Sequence, residues 1–419
     1  MDNKDAAVVL QDIFHAAIDS ALPGPVVPLS MPEKPRGRCV VIGAGKASAA
    51  MAAAVDAAWP DVDLSGVVVT RYGHAVPAGR IRILEAAHPV SDSMSEVAAM
   101  MIAEAVRHLT SDDLVLALIS GGGSALMALP ISGLNLADKQ KITQSLLLSG
   151  ANIREMNLVR RHLSAIKGGK LASMAAPARV VSLIISDVPG DNPSDVASGP
   201  TVADTSTPEQ ALAVLMRYNI PVSPEIRNAL LAKQEAYLSP AAQSDSRLIA
   251  TPAMALKAAA EAARRHGIMP LILGDALEGE SRELGIVMAG IARSVKLYGH
   301  PVKKPAVLLS GGETTVTVTG FAGKGGRNTE FLLSLACALE AQEGIWAIAG
   351  DTDGIDGTED AAGAIIYPDT ISRGSEVGLH APDYLAKHDS YSFFHATGDL
   401  VTTGPTLTNV NDIRAILIS

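Results

Sequence analysis

Aliphatic runs that break at glycine or serine and give way to helical periodicity dominate the first half of the chain. Cys39 to Ile42 runs into a glycine turn followed by a helical pattern from Lys46 to Trp59, and Leu114 to Ile119 runs into Ser120-Gly121-Gly122-Gly123-Ser124 and a second helical stretch. Gly66 to Thr70 lies between them, and Arg179 to Ser186 supplies a fourth run. Strands that alternate with helices in this way can bury both sheet faces only as a parallel sheet covered by helices, so the fold class is α/β. Composition agrees: hydrophobic residues make up 48% and aromatic residues only 3%, which favours close-packed helices on sheets over sandwiches filled by large rings.

With 419 residues the chain is long enough for two or three domains. An opening helix is expected from Ala6 to Leu22, where Val9, Leu10, Ile13, Phe14, Ala17 and Ile18 recur at helical spacing behind a cap at Asp2 or Asn3. A new cycle starts after the polar stretch 241–247, with strands at Leu248 to Ala250, Met269 to Leu273, Ala306 to Leu309, Thr315 to Thr319, Ile345 to Ala349 and Ile413 to Leu417. The boundary is therefore placed near residue 245, giving domains 1–245 and 246–419.

Lys plus Arg number 34 against 44 Asp plus Glu, a net charge of -10 that opposes binding to nucleic acid or an anionic bilayer. Cys39 and Cys337 form no CxxC, and no apolar run reaches the about 18 residues of a membrane span. A reducing cytoplasmic setting fits, and a homo-oligomer is compatible with everything in the chain.

Gly43-Ala44-Gly45-Lys46-Ala47-Ser48 reads as strand, glycine turn and helix start, where backbone N–H groups and the helix dipole favour an anion. It is similar to a dinucleotide fingerprint, but the acidic residue expected after the next strand is missing, because Gly66 to Thr70 runs into Arg71. Lys46 in the first turn of a helix is electrostatically disfavoured unless an anionic ligand meets it. Ser120 to Ser124 is a second candidate anion nest; its alternative is a tight turn that needs positive φ. Asp187 and Asp191, after the strand ending at Ser186, and Asp351, Asp353 and Asp356, after Ile345 to Ala349, place hard oxygen ligands where open α/β sheets bind ligands, and they suit Mg2+ beside a phosphate. For each cluster the alternative is an Asx turn. Gly323 to Gly326, with Lys324 and Arg327, precedes an apolar helix capped at Asn328 or Thr329 and reads as a mobile anion-gripping loop or a surface hairpin. No GxxxxGK[ST], HExxH or GxSxG is present, which removes P-loop NTPases, zincins and serine hydrolases.

These motifs recur in a fixed order with His88-Pro89, Asn157 to Arg160, Ile166-Lys167-Gly168-Gly169, Ala197 to Thr201, Ser310-Gly311-Gly312-Glu313 and Gly325-Gly326-Arg327-Asn328. Over nearly the whole chain this order closely resembles the glycerate 2-kinases whose second half is a MOFRL domain, a family also labelled hydroxypyruvate reductase; Ser91 in place of proline is a minor departure. The resemblance implies a Rossmann-like first domain and a MOFRL second domain with a mixed sheet, an active site in the cleft between them, and transfer of the ATP γ-phosphoryl to the 2-hydroxyl of D-glycerate. It implies Lys46 and Arg327 as the catalytic basic pair. Lys46 is assigned to the transferring phosphoryl or the substrate carboxylate, Arg327 to developing equatorial charge, and Asp187 to the hydroxyl proton or to metal, with Asp191, Asp351 and Asp353 as further Mg2+ ligands. Gly43, Gly45, Ser120, Gly121, Gly122, Gly123, Ser124, Lys167 and Glu313 are assigned to the nucleotide and its Mg2+. The competing readings are an NAD(P)H-dependent hydroxypyruvate reductase, with His88 or His162 as proton donor, and a non-catalytic sugar-acid sensor.

Overall fold

The computed structural model describes residues 1–232, 244–318, 320 and 323–419. The chain forms two compact units, Pro23–Ile249 and Met1–Leu22 with Ala250–Ser419. Among the described residues no helix is long and apolar enough to cross a membrane.

The unit Pro23–Ile249 is built on a six-stranded sheet of order β3-β2-β1-β4-β5-β6. Its strands are β1 (Cys39–Ala44), β2 (Leu64–Arg71), β3 (Ile81–Ala86), β4 (Leu114–Ile119), β5 (Arg179–Ile185) and β6 (Ser244–Ala250). β1 to β5 pair in parallel, and every residue of β1 and β4 is buried, as expected of near-continuous aliphatic runs covered by helices on both faces. The order reverses between β1 and β4, where two neighbouring strands send their crossovers to opposite sides and leave a crevice at their carboxyl ends. Glycine is needed there for close packing: a Cβ on Gly43 would lie 2.5 Å from the Leu118 carbonyl oxygen across the β1–β4 pair. A second cluster of buried side chains, including Ile142, Leu146, Val159, Leu163, Leu212 and Leu215, joins the helices Leu136–Leu148, Ile153–His162 and Pro208–Arg217.

The other unit carries a mixed six-stranded sheet of order β11-β10-β9-β12-β8-β7. Its strands are β7 (Met269–Gly274), β8 (Ala306–Gly312), β9 (Ile345–Asp351), β10 (Gly363–Ile366), β11 (Leu400–Val401) and β12 (Asp412–Ile418). β7 and β8 are parallel, whereas β12 runs antiparallel to both β8 and β9 and is buried along its whole length. Register aligns Asp412 with Gly312 on one side and with Asp351 on the other, so three chain segments distant in sequence deliver their terminal residues to one end of the three inner strands.

Three expectations are corrected. The opening helix forms at Asn3–Asp19, with the Asp2 side chain accepting from the Asp5 N–H at 2.8 Å, but it belongs to the second unit rather than to 1–245. Its apolar stripe is the cause: Phe14 is fully buried and lies over β9, where a Cβ on Gly350 would stand 2.7 Å from the Phe14 ring. Leu248 to Ala250 does not open the second sheet; it is the end of β6, the edge strand of the first, so the boundary falls after Ile249. The strand expected at Thr315 to Thr319 is reduced to a single bridge between Thr315 and Glu280, and Thr319 lies outside the described residues.

Phe14→Ala is expected to cost about 3–5 kcal/mol, the usual range for a buried phenylalanine. Hydrogen exchange checks it: amides of β9 and β12 lose protection while those of β1 and β4 keep theirs.

Candidate functional site

At the crevice between β1 and β4, the two glycine turns are bonded to each other. The Lys46 N–H donates to the Gly121 carbonyl at 2.9 Å and the Ala47 N–H to Ser120 Oγ at 3.0 Å, while the Ser48 hydroxyl donates to the Leu118 carbonyl at 2.9 Å. The Gly45 N–H bonds the Val69 carbonyl and the Ser48 N–H the Gly45 carbonyl, both at 3.2 Å. The helix begins at Ser48, so Lys46 is not in its first turn but two residues ahead of it, half-buried in the turn. The N–H groups that a dinucleotide fold turns toward a pyrophosphate are therefore occupied by the chain itself. Gly45 also has a packing role: a Cβ there, at φ +146°, would run into the Ser120 side chain.

The turn after β4 borders the site directly. Gly122 has φ +79°, and a Cβ there would meet the His88 ring at 2.9 Å; a Cβ on Gly121 would collide with the Asp187 carboxylate. The loop from Asp187 at the end of β5 thus lies against this glycine turn because the turn lacks side chains. Asp187, His88, Gly122 and Ser124 all line a cavity of about 780 Å³ within this unit, a volume typical of small-molecule sites. Lys167 also lines it and is 1% exposed; its ammonium donates to the Ser124 carbonyl and hydroxyl, both at 2.6 Å, and Ser124 Oγ is 3.0 Å from Ser198 Oγ. Burial pushes the Lys167 pKa well down, with Lys139 and Arg160 adding to the effect. Asp191, four residues beyond Asp187 at φ +52°, is not among the cavity-lining residues.

In the other unit, Arg327 is the first residue of the helix Arg327–Leu339, after the N-cap Gly326. The expected cap at Asn328 or Thr329 is replaced by Asp356, whose carboxylate accepts from the N–H groups of Asn328 at 3.0 Å and Thr329 at 2.9 Å. Burial raises the Asp356 pKa, against the lowering effect of those two N–H donors. The N-terminus of this helix therefore holds a carboxylate of the chain itself. Arg327 donates to Asp412 at 2.9 Å, to Asp351 at 2.7 Å and to Glu313 at 2.9 Å. Burial opposes its charge, but the Asp412, Asp351 and Glu313 carboxylates outweigh that and raise its pKa. Asp412 is fully buried and also accepts from Asn328 Nδ2 at 2.8 Å and from the fully buried Arg414 at 2.6 Å.

Asp351 and Asp353 are committed to their own loop. One Asp351 oxygen faces Arg327, the other accepts from the Asp353 N–H at 3.0 Å, and Asp353 accepts from the Ile355 N–H at 2.9 Å. Among the described residues no group of three or more His, Cys, Asp or Glu is arranged to hold a metal ion. The sequence reading missed Asp412, which has no motif around it, and it missed Lys139 and Asp195 in the cavity wall. Lys139 did leave a trace: with Ile142 and Leu146 it falls at the i, i+3, i+7 spacing of the helix's buried stripe, a place where a lysine is out of keeping.

Residues 9–231 match a domain of unknown function (DUF4147) and residues 306–412 match the MOFRL family. A D-glycerate 2-kinase of Thermotoga maritima is 41% identical, with 97% of each chain covered. The chain belongs to the glycerate 2-kinase family with a MOFRL domain. Within that family, a protein of Agrobacterium vitis named "Putative hydroxypyruvate reductase" is 62% identical over 100% of this chain and 95% of its own length. The crystal structure of glycerate kinase from Thermotoga maritima superposes with a TM-score of 0.90 at 39% identity, covering 99% of this chain and 100% of that one.

Asp412→Ala is expected to destabilise the second unit by about 3–5 kcal/mol, because it strips the carboxylate from the buried Arg414 and from Arg327. Thermal unfolding measures the loss; a melting temperature within a degree or so of the parent contradicts it.

Proposed function

We propose that the chain is a glycerate 2-kinase, transferring the ATP γ-phosphoryl to the 2-hydroxyl of D-glycerate to give 2-phosphoglycerate and ADP. The observation that carries this reading is the carboxylate of Asp187 lying against the side-chain-free Gly121 turn, in a cavity that also holds buried basic side chains. A phosphoryl transfer asks the protein mainly for positioning, a proton acceptor and positive charge. Asp187 receives the proton of the attacking 2-hydroxyl. Lys46, whose backbone is pinned to Gly121, brings its ammonium to the transferring phosphoryl or the substrate carboxylate. Arg327 stabilises the equatorial oxygens, exchanging its exposed partner Glu313 for phosphate while Asp412 and Asp351 hold its other nitrogens.

The donor set fits a Mg2+ that arrives on the nucleotide's phosphates and adds one or two carboxylates, Asp187 foremost, rather than an all-protein cage. When bound, that ion neutralises phosphate charge. Lys167, fixed on Ser124, shapes the cavity wall.

The hydroxypyruvate reductase reading keeps some support from the sheet order and from the name of the Agrobacterium vitis relative. Against it stand the filled N–H groups of Lys46 and Ala47; the Arg71 that ends β2 disfavours the ribose of NADH but suits the 2′-phosphate of NADPH.

One assay separates the two: the purified chain with D-glycerate, ATP and Mg2+ is expected to release ADP, while NADH with hydroxypyruvate is not consumed. 31P NMR of the product should show phosphorus coupled to a methine proton; coupling to a methylene would refute the 2-kinase assignment. Lys46→Met is expected to keep the fold and lower kcat/KM about 100-fold or more, the size of losing one preorganised donor. Arg327→Ala is expected to lower kcat more than nucleotide affinity, as read by initial rates beside ADP titration.

A further inference from the structure

We propose that Lys139, Arg160 and Lys167 form a buried anion subsite in the cavity of residues 23–249, which takes either the carboxylate of a sugar acid or a phosphate of a nucleotide. The choice of those two ligands rests on the kinase reading; the subsite itself rests on the cavity. Lys139 projects from the helix Leu136–Leu148 and lines the cavity. It is 5% exposed, and among the described residues its buried ammonium has no hydrogen-bond partner. Arg160, on the helix Ile153–His162, and Lys167 line the same cavity. Burial lowers the Arg160 pKa. A chain of net charge -10 has no general need to gather three basic side chains in one hollow, and an ammonium left there without a partner is strongly unfavourable. A bound anion removes that penalty.

The charged and titratable surroundings of Lys139 are Arg160, Lys167 and Lys170, with Glu96 from the helix Ser93–Ala105 and His88, Asp187 and Asp195 in the cavity wall. Asp195 accepts from Asn157 at 3.2 Å and pairs with Arg161 at 3.5 Å. Burial first, then Arg160 and Lys170, push the Lys139 pKa down to about 7, against the opposing pull of Glu96. Its folded value is thus below its unfolded one. The destabilisation from burying the charged amine is fully present below about pH 7 and fades as the pH rises toward the unfolded value. An anion bound beside the amine favours the protonated form, so binding takes up a proton above neutrality and weakens by up to about tenfold per pH unit.

The test is calorimetric titration of the full chain with D-glycerate and, separately, with ADP, from about pH 6.5 to 8.5. Buffers of different protonation enthalpy count the protons taken up. One ligand is expected to bind with proton uptake, and Lys139→Met is expected to weaken that ligand about tenfold or more and abolish its pH dependence. The same variant should melt at or above the parent temperature, with the largest gain at the lowest pH. D-glycerate as the sensitive ligand identifies a carboxylate subsite, and ADP a phosphate subsite. Equal affinity of parent and variant for both ligands overturns the proposal, as does a parent that binds neither or a variant that melts well below the parent. Binding that depends on Lys139 in a protein that releases no ADP in the kinase assay upholds the subsite and removes the kinase reading.

Discussion

The in-register pairing of β1 with β4 is the constraint on which the candidate site depends. It sets Ala44 beside Ile119 and so brings two glycine turns that are some distance apart in sequence into contact, where the Lys46 N–H closes on the Gly121 carbonyl. Without that contact neither turn has a fixed course, and neither the Lys46 side chain nor the Asp187 loop has a fixed starting point. Glycine at 43 and 45 is a condition for this approach, because a methyl group at either meets Leu118 of β4 or Ser120 of the turn after it, and a methyl group at 121 would meet the Asp187 carboxylate.

The second unit solves a similar problem with charge instead of close packing. Asp412 sits between β8 and β9 and satisfies Arg327, Asn328 and Arg414 at once. A buried carboxylate with three donors tolerates low dielectric where an unpaired one would not. The cluster fixes the start of the helix Arg327–Leu339 and holds the arginine with Glu313 as its solvent-facing partner, the one that can be exchanged for a ligand at least cost.

Much of this was legible in the residues. Aliphatic runs followed by glycine turns announce the parallel sheet, because strands buried on both faces have no polar alternation to hide behind, and the stripe Val9-Leu10-Ile13-Phe14 announces its helix. The partner of that helix was not legible, since an apolar stripe says that a face is covered but not by what; residue order suggested the first unit, and Phe14 packs on Gly350 instead. Asp187 was found because it ends a strand. Asp412 was not, since its importance comes from being laid between two strands made long before it in sequence, a long-range event with no local pattern. The glycine turn at Gly43 to Ser48 was half read: the turn was seen, but the helix starts at Ser48 rather than Lys46, and the Gly121 carbonyl fills the Lys46 donor that looked vacant.

The position of β12 carries a consequence for how this protein is made. It is the inner strand between β8 and β9, and the helix Asn3–Asp19 packs on it and on β9. During synthesis the helix emerges first and has no surface of its own to cover, while the whole sheet of Pro23–Ile249 is translated and can fold behind it. β8 and β9 then emerge with facing edges unpaired until the strand that joins them leaves the ribosome. A nascent chain therefore carries a bare amphipathic helix through much of its synthesis and two open sheet edges near the end of it, features that attract holdase chaperones and that make a stalled or truncated product far more prone to aggregate than the finished fold.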